Sequence, residues 1–551
     1  MNRTVAVALL ACGACAGPGP SPAPAPSPSG ATPAATPAPG RPAAKPLPPI
    51  PLVDGPLDVK VVYPTPNQQI ASRDSNFIFG SIGSGRASLT INGVPARVYL
   101  NGAFMAYVVN PPASAPKYDL VAARGADTAR VTRLIRYPVP PALAALPAPP
   151  RKPENLPTSR ADTIAALTSR IDSLRTQLAR NEPIGAVQLG RQAAVNDTDV
   201  TVIGRPITSG TYKWFFTPGT IVPLVGYVNG SARIRLDNDL DVYVDSADAQ
   251  PAMLPVPRRT LSNMRVRASA TGADVIMPIG VRAPYFVEEG DNALRITLYG
   301  VRGNTDLVNY ASADSLVRTV EWEQVSTERL RVTVNLRHEP YGYLVVFDNN
   351  ALVVKVRGRP AIDNNRPLAG LTIAVDPGHP PIGATGPTGL WEPQATLPIG
   401  FALKRLLEER GANVVMTRTT DSAVALGDRP IVARKANAHA FVSIHLNAYP
   451  DGVNPFLHPG TGTYFFRTHS APLARDIQHG LVANIGLEDL GVNYDNLAVV
   501  RSTWYPAVLC EGAFIILPDQ EAALRMPEFQ ERYARGILEG LEAYFRSLGN
   551  R

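Results

Sequence analysis

Residues 371–379, LTIAVDPGH, join a nearly continuous apolar run to a polar loop. Such a run, broken only by Thr372, is typical of a strand that is buried in a parallel sheet. Apolar residues at helical spacing follow it and predict a helix that ends at Gly411. Further strands are expected at residues 413–417, 440–444 and 506–510. Strands that alternate with amphipathic helices predict an α/β domain over residues 367–551, with a mostly parallel sheet flanked by helices.

Four polar side chains accompany these strands. His379, His445 and Glu511 each come just past the carboxyl end of a predicted strand, and Glu392 lies in the loop that begins at His379. Ligands of open α/β sheets bind at that edge, so we expect the four side chains to lie close together. Two imidazoles and one carboxylate are the ligand set of a catalytic zinc that keeps one position open for water. The pattern predicts metal-assisted hydrolysis, with Glu511 moving protons beside the metal.

Six motifs surround these residues: DPGH at 376–379, GLWE at 389–392, MTR at 416–418, LGDR at 426–429, SIHLNA at 443–448 and PAVLCEGAF at 506–514. In this order they resemble the zinc-dependent N-acetylmuramoyl-L-alanine amidases, over residues 371–545. The resemblance implies that His379, Glu392 and His445 bind Zn²⁺ and that Glu511 is the catalytic carboxylate. It also implies that the substrate is peptidoglycan, cut between N-acetylmuramic acid and the L-alanine of the stem peptide.

Some positions depart from the family pattern or fall outside the ligand set. Pro380 and Pro381 replace the Gly-Gly that usually follows the first ligand in the family. We expect this difference to affect substrate preference more than activity. Arg429 and Arg501 match recurrent positions and are expected to be structural or to orient substrate. Cys510 is expected to be a buried small apolar residue. The remaining histidines of the domain match no ligand position and are expected at the surface or beside the ligands: His439, His458, His469 and His479.

The N-terminus predicts export to the bacterial cell envelope. Residues 1–16 resemble an export signal, and Leu9-Leu10-Ala11-Cys12 resembles a lipobox in which Cys12 is lipidated. The competing interpretation is a signal cut after Ala14-Cys15-Ala16, without a lipid. Residues 17–51 form a linker rich in Pro, Ala, Ser and Gly. We therefore expect a periplasmic protein that a lipid on Cys12 attaches to the membrane.

Short β runs fill the middle of the chain. They predict an immunoglobulin-like domain at residues 52–138, with Asn92-Gly93 as a hairpin turn and a strand at residues 96–100. A linker and a helix follow at residues 139–184, with apolar residues from Ile164 to Leu178. An SH3-like domain is expected at 185–257. Residues 258–366 resemble the AMIN-like module that precedes the catalytic domain in envelope amidases.

Several alternatives remain at this point. The net charge of +7 comes without a Lys/Arg run, which disfavours nucleic acid as a partner. A zinc peptidase acting on the stem peptide, or a non-catalytic protein that binds peptidoglycan, would use similar modules. Residues 449–463 contain Pro and Gly at six positions, so no helix that blocks the site is expected there. We expect the isolated domain from about Pro367 to the C-terminus to be active without an activator protein, and no motif identifies such a partner.

Overall fold

The computed structural model of the 551-residue chain describes residues 45–72, 74–138, 167–172, 182–190, 201–311 and 316–550. The predicted export signal, Cys12 and the linker before residue 45 lie outside the described residues. So does the predicted helix around residues 164–178, apart from residues 167–172, which are helical. Among the described helices, none combines the length and the apolar character that a bilayer span requires. The chain divides into two compact units, whose main segments are Pro51–Pro138 with Ala448–Leu457, and Val139–Asn447 with His458–Arg551.

The first unit contains two antiparallel-rich sheets that share one core. Their orders are β1-β3-β6 and β2-β8-β7-β4-β5. Asn92 and Gly93 have φ values of 49° and 82° between the paired residues Ile91 and Val94, so the predicted hairpin is confirmed. The predicted strand at 96–100 is wrong, because β5 ends at Ala96 and the chain then turns towards Gly102. The strands are β1 Lys60–Tyr63, β2 Gln68–Gln69, β3 Ser75–Ser81, β4 Ser88–Ile91, β5 Val94–Ala96, β6 Ala103–Val109, β7 Lys117–Arg124 and β8 Asp127–Arg136.

The second unit begins with a five-stranded antiparallel sheet in the order β14-β13-β12-β9-β15, beside the pair β10-β11. Alternating residues of these strands point inwards and bury Val187, Trp214, Phe216 and Ile234 in one core. The strands are β9 Gly185–Leu189, β10 Val202–Gly204, β11 Trp214–Phe216, β12 Thr220–Val228, β13 Ser231–Asp237, β14 Leu240–Asp245 and β15 Ala249–Pro251, with a 3₁₀ turn at Ser246–Asp248.

Eleven strands follow among the described residues of the same unit. Two sheets, β22-β17-β18-β26-β25 and β19-β20-β24-β23, pack around a shared core, and β16 pairs with β21. Strands β19 and β25 therefore lie at the ends of their sheets. The strands are β16 Arg259–Leu261, β17 Met264–Ser269, β18 Gly272–Pro278, β19 Tyr285–Gly290, β20 Ala293–Tyr299, β21 Val301–Gly303, β22 Val308–Tyr310, β23 Val317–Ser326, β24 Arg329–Leu336, β25 Gly342–Asp348 and β26 Ala351–Arg357.

The remainder of the chain is the predicted α/β domain. Its sheet has the order β28-β27-β29-β32-β30-β31, and only the pair β30-β32 is antiparallel. The strands are β27 Thr372–Pro377, β28 Asn413–Met416, β29 Ala440–Asn447, β30 Gly460–Phe465, β31 Glu488–Tyr494 and β32 Ala507–Phe514. The helices are α1 Glu392–Glu409, α2 Asp428–Lys435, α3 Ala471–Ile485, α4 Pro518–Leu524 and α5 Pro527–Gly549, with 3₁₀ turns at Thr468–Ser470 and Ala498–Val500.

Two expectations about this domain were wrong in detail. His445 and Glu511 lie within β29 and β32 and not past their ends, because the ladder continues to the pair Asn447–Phe514. Glu392 is the first residue of α1 and not a loop residue. The following Pro393 suits a first helical turn, because its fixed φ is helical and no backbone N–H is needed there. The sequence also gave no clear signal for β31 or α4.

Candidate metal centre

Three residues that are distant in the sequence converge at the carboxyl edge of the sheet. The Nε2 atom of His379 lies 3.1 Å from Oε2 of Glu392, and Nδ1 of His445 lies 3.2 Å from Oε1 of Glu392. One ligand atom from each of the three lies within 4.8 Å of the others. The two imidazole rings meet edge to face, with centroids 4.8 Å apart. This arrangement brings together the donors that one metal ion requires.

Glu392 is fixed from both sides. The backbone N–H of Ala384 donates to its Oε2 and that of Leu446 to its Oε1, each over 3.0 Å. The carboxyl group is 3% exposed, and burial alone would raise its pKa. The hydrogen bonds and charges of His379 and His445 outweigh that effect, so the pKa of Glu392 is lowered. A buried carboxylate that remains ionised is suited to hold a cation.

The loop that carries His379 is held by a buried ion pair. Asp376 is fully buried and lies 2.7 Å from Nη1 of Arg429, and it also accepts hydrogen bonds from Thr417 and Ser443. Arg429 Nη2 donates to the carbonyl of His379 over 3.0 Å. His379 has a φ of 58°, in the left-handed region that costs a residue other than glycine roughly 1 kcal/mol or more. The structural role expected for Arg429 fits these contacts.

Gly378 allows His445 to approach this loop. A Cβ atom at Gly378 would meet the His445 ring at 2.5 Å, which is closer than real side chains approach. His445 is paired with Glu511 across β29 and β32, so the two side chains start from neighbouring positions of the sheet. The pairing of β29 with β32 therefore places Glu511 beside the cluster of His379, Glu392 and His445.

Glu511 differs from Glu392 in its surroundings. Its Oε2 is buried and has no hydrogen-bond partner among the described residues. Burial, together with the charge of Glu392, raises the pKa of Glu511 well above its usual range. The pKa values of these two nearby carboxylates are therefore shifted in opposite directions.

Tyr533 supports the strand that carries Glu511. Its hydroxyl accepts a hydrogen bond from the N–H of Gly512 and donates to the carbonyl of Cys510, both over 2.8 Å. The sequence shows Tyr533 only as one member of the apolar face of α5, so its polar role was not predicted. Cys510 is buried, as expected, and burial raises the pKa of its thiol.

Glu521 is a site residue that sequence reasoning missed. It is fully buried, and its carboxylate accepts the N–H groups of Thr388 and Leu390 over 2.9–3.0 Å. A Cβ atom at Gly386 would meet Glu521 Cδ at 2.6 Å, so that position has no room for a side chain. The anchored segment leads directly into Glu392. Glu521 therefore acts as a positioning residue for Glu392.

None of the other four histidines in this domain joins the cluster. His439 accepts the N–H of Thr372 at Nδ1, and burial together with Arg357 lowers its pKa to about 4. His458 and His479 are exposed. The expectation for His469 was wrong: its side chain is 1% exposed and lies 3.0 Å from Glu289. His469 is buried because it packs against Glu289 of β19. The sequence pattern gave no sign of this contact.

The segment between β29 and β30 contains turns and no helix, in agreement with its Pro and Gly content. Residues 448–457 of this segment belong to the first unit. There the Tyr107 hydroxyl donates to the carbonyl of Gly452 over 2.8 Å, and the N–H of Gly452 donates to Asn76 over 3.0 Å. Within the described residues, this segment therefore supplies no helical plug for the cluster.

Comparison with known proteins identifies similarity over the same domain. A family profile described as N-acetylmuramoyl-L-alanine amidase matches residues 373–543. The chain is 33% identical over 210 residues to the N-acetylmuramoyl-L-alanine amidase LytC of Bacillus subtilis, covering 37% of this chain and 40% of that protein. It is 34% identical over 182 residues to the sporulation-specific N-acetylmuramoyl-L-alanine amidase of the same organism, covering 31% and 68%. The chain thus spans less than half of LytC but two thirds of the sporulation-specific enzyme.

Among solved structures, the chain is similar to the catalytic domain of CwlV, an N-acetylmuramoyl-L-alanine amidase from Bacillus (Paenibacillus) polymyxa var. colistinus. The identity is 32%, the match covers 32% of this chain and 97% of that chain, and the TM-score is 0.30.

Proposed function

The chain belongs to the N-acetylmuramoyl-L-alanine amidase family, and we propose that it hydrolyses the amide bond between N-acetylmuramic acid and the L-alanine of peptidoglycan. The observation that carries this proposal is the cluster of His379, Glu392 and His445, with Glu511 at the paired position of the next strand. All four residues lie within the part of the chain that the family profile matches.

The metal proposed for this cluster is Zn²⁺. Two imidazole nitrogens and a carboxylate suit zinc, whereas magnesium and calcium favour oxygen ligands alone. Oε2 of Glu511 has no hydrogen-bond partner among the described residues, and a water bound at such a site would supply one. The chemistry supplied by Zn²⁺, when bound, is polarisation of the amide carbonyl and acidification of water.

The chain's own residues provide the remaining steps. Glu511 takes a proton from the attacking water and returns it to the nitrogen of the leaving L-alanine. Burial raises the pKa of Glu511, which suits this exchange because the group must be ionised to take the proton and must then hold the proton until it is returned. Glu521 and Arg429 keep the loop of His379 and Glu392 in place while the substrate binds.

Product analysis of purified sacculi tests the proposed reaction. The full-length protein, added without any partner, should release stem peptides with an N-terminal alanine, detected by mass spectrometry. Glu511→Gln should release none. Cut cross-links with intact glycan–peptide bonds would instead identify a peptidase. Binding to sacculi without any product would indicate a non-catalytic protein.

The modules before the α/β domain are proposed to attach the enzyme to its substrate and to the envelope. Their sheets support the assignment of residues 52–138, 185–257 and 258–366 as immunoglobulin-like, SH3-like and AMIN-like domains. Cys12 is proposed to carry the lipid anchor. Palmitate labelling of wild type and of Cys12→Ser tests this: label lost in the variant supports it, and label that persists moves the site to Cys15.

A further inference from the structure

A cavity of about 290 Å³ lies within the second unit, and its lining forms three walls. One wall is formed by Ile203 and Phe215 of the pair β10-β11. Another is formed by β19 and β25, and the third by α2 and the loop at residues 498–503. That loop leads towards the amino end of β32, whereas the metal cluster lies at the carboxyl edge of the sheet. None of the four proposed site residues lines the cavity, so it is separate from the proposed active site.

The lining of this cavity is strongly cationic. Lys213, Arg434, Arg467 and Arg501 all contribute to it, and no Asp or Glu occurs among the described residues that line it. The ammonium of Lys213 lies over the rings of Trp214 and Phe286, at 5.2 and 5.5 Å, and makes no salt bridge within the described part of the chain. A cavity with these charges attracts an anion.

Arg467 and Arg501 lie next to each other in this lining. Nε of Arg467 donates to the carbonyl of Arg501 over 3.0 Å, and both guanidinium groups lie within 6 Å of the Phe215 ring. Asn496 holds Arg501 in place through two hydrogen bonds of 2.7 Å. Burial lowers the pKa of Arg501 and the charge of Arg467 lowers it further, while Tyr212 and Asp495 offset part of this effect. Glu289 interacts with Arg467 and offsets part of its charge, and an anion bound between the two arginines would relieve the repulsion that remains.

The other walls suit a peptide better than a bare ion. Phe215, Phe286 and Ile431 supply apolar surface. Strand β19 is at the end of its sheet, so its outer edge has no neighbouring strand among the described residues. Such an edge offers backbone N–H and C=O groups to an extended peptide. Arginine also matches the planar geometry of a carboxylate.

We propose that this cavity binds a short, extended peptide through a free carboxylate. Under the proposed function the available peptide is the peptidoglycan stem, and this choice of ligand rests on that function. The site is an exosite: it holds a stem peptide at a place other than the metal cluster, so that the enzyme stays on its substrate between cleavage events.

Calorimetric titration of the full-length protein with a synthetic stem tetrapeptide tests this site. The same peptide with all carboxyl groups amidated is the control ligand, and glycerol phosphate is the control anion. Lys213→Glu reverses one exposed charge of the cavity. Arg265→Glu makes the same charge change at an exposed position of β17, outside the cavity. His445→Ala removes a member of the metal cluster.

Wild type and Arg265→Glu should bind the tetrapeptide alike, and Lys213→Glu should weaken binding about tenfold. The amidated peptide should bind at least tenfold more weakly than the free acid. His445→Ala should bind the tetrapeptide as tightly as wild type does. Equal binding by Lys213→Glu and wild type would overturn the proposal. The proposal would also be overturned if His445→Ala lost tetrapeptide binding while Lys213→Glu kept it. Binding of glycerol phosphate without binding of the tetrapeptide would overturn it as well. These readouts require no turnover, so failure of the proposed amidase activity would be seen separately in the product analysis.

Discussion

Replacing Arg429 with Met tests how the loop of His379 is held. The guanidinium is 4% exposed, lies 2.7 Å from Asp376 and donates to three backbone carbonyls of the loop and its flanks. Met keeps much of the apolar volume of the stem but leaves Asp376 as a buried charge without its cation. Removing one partner of a buried ion pair costs about 3–5 kcal/mol. We expect a loss of that size in the stability of the α/β domain.

Thermal unfolding of the full-length protein measures this loss. One kcal/mol shifts Tm by roughly 2–4 °C for a domain of this size, so the transition of the α/β domain should fall by about 10 °C. Arg429→Lys keeps the charge but not the planar set of donors and should give an intermediate value. Zinc affinity, measured by competition with a chelator, should fall in the same order, because His379 is less well held.

A double variant separates the ion pair from other effects. Asp376→Asn combined with Arg429→Met should cost clearly less than the sum of the two single variants, since neither buried charge then remains unpaired. If Arg429→Met melts within about 1 °C of wild type and binds zinc equally well, the assignment of Arg429 as the anchor of the loop is refuted.

Three further predictions concern other parts of the molecule. Glu521→Gln should destabilise the segment that leads into Glu392 by about 2 kcal/mol, because charge-assisted hydrogen bonds are lost, and hydrogen exchange of residues 384–391 should rise. Burial alone would raise the pKa of Glu289, but His469 and Arg467 outweigh this effect and lower it to about 2. The ionised carboxylate therefore stabilises the folded protein above about pH 4.5, and this stabilisation is lost as the pH falls towards 2. Glu289→Gln should flatten the dependence of Tm on pH in that window. Cys510→Ala should stay active, and the Cys510 thiol of the native wild type should resist alkylation because it is buried, as mass spectrometry of its peptide would show.

The α/β domain and its cluster were predictable because both depend on local patterns. Apolar runs near Ile373 and Phe441 mark buried strands, and the polar residues that follow must then share one edge of the sheet. The exact ends of the strands were not predictable. Whether His445 lies in a strand or past it depends on pairing with β32, which is more than 60 residues away.

The contacts that hold the site in place had no local signal. Glu521 reaches its loop across a separation of 133 residues, and His469 meets Glu289 across 180. In the sequence, each reads as an ordinary polar residue near a helix or a turn. Only packing decides that these side chains are buried and hydrogen-bonded, so they were missed or expected at the surface.

Zinc content measured together with turnover tests the central claim most directly. Full-length wild type, His445→Ala and Glu511→Gln are purified in parallel, analysed for zinc by mass spectrometry, and assayed for release of dye from labelled sacculi. Wild type should contain about one zinc per chain, as one cluster of three ligands requires. His445→Ala should lose both metal and activity, while Glu511→Gln should keep the metal and lose activity. Full zinc and full activity in His445→Ala, or an active Glu511→Gln, would contradict the account.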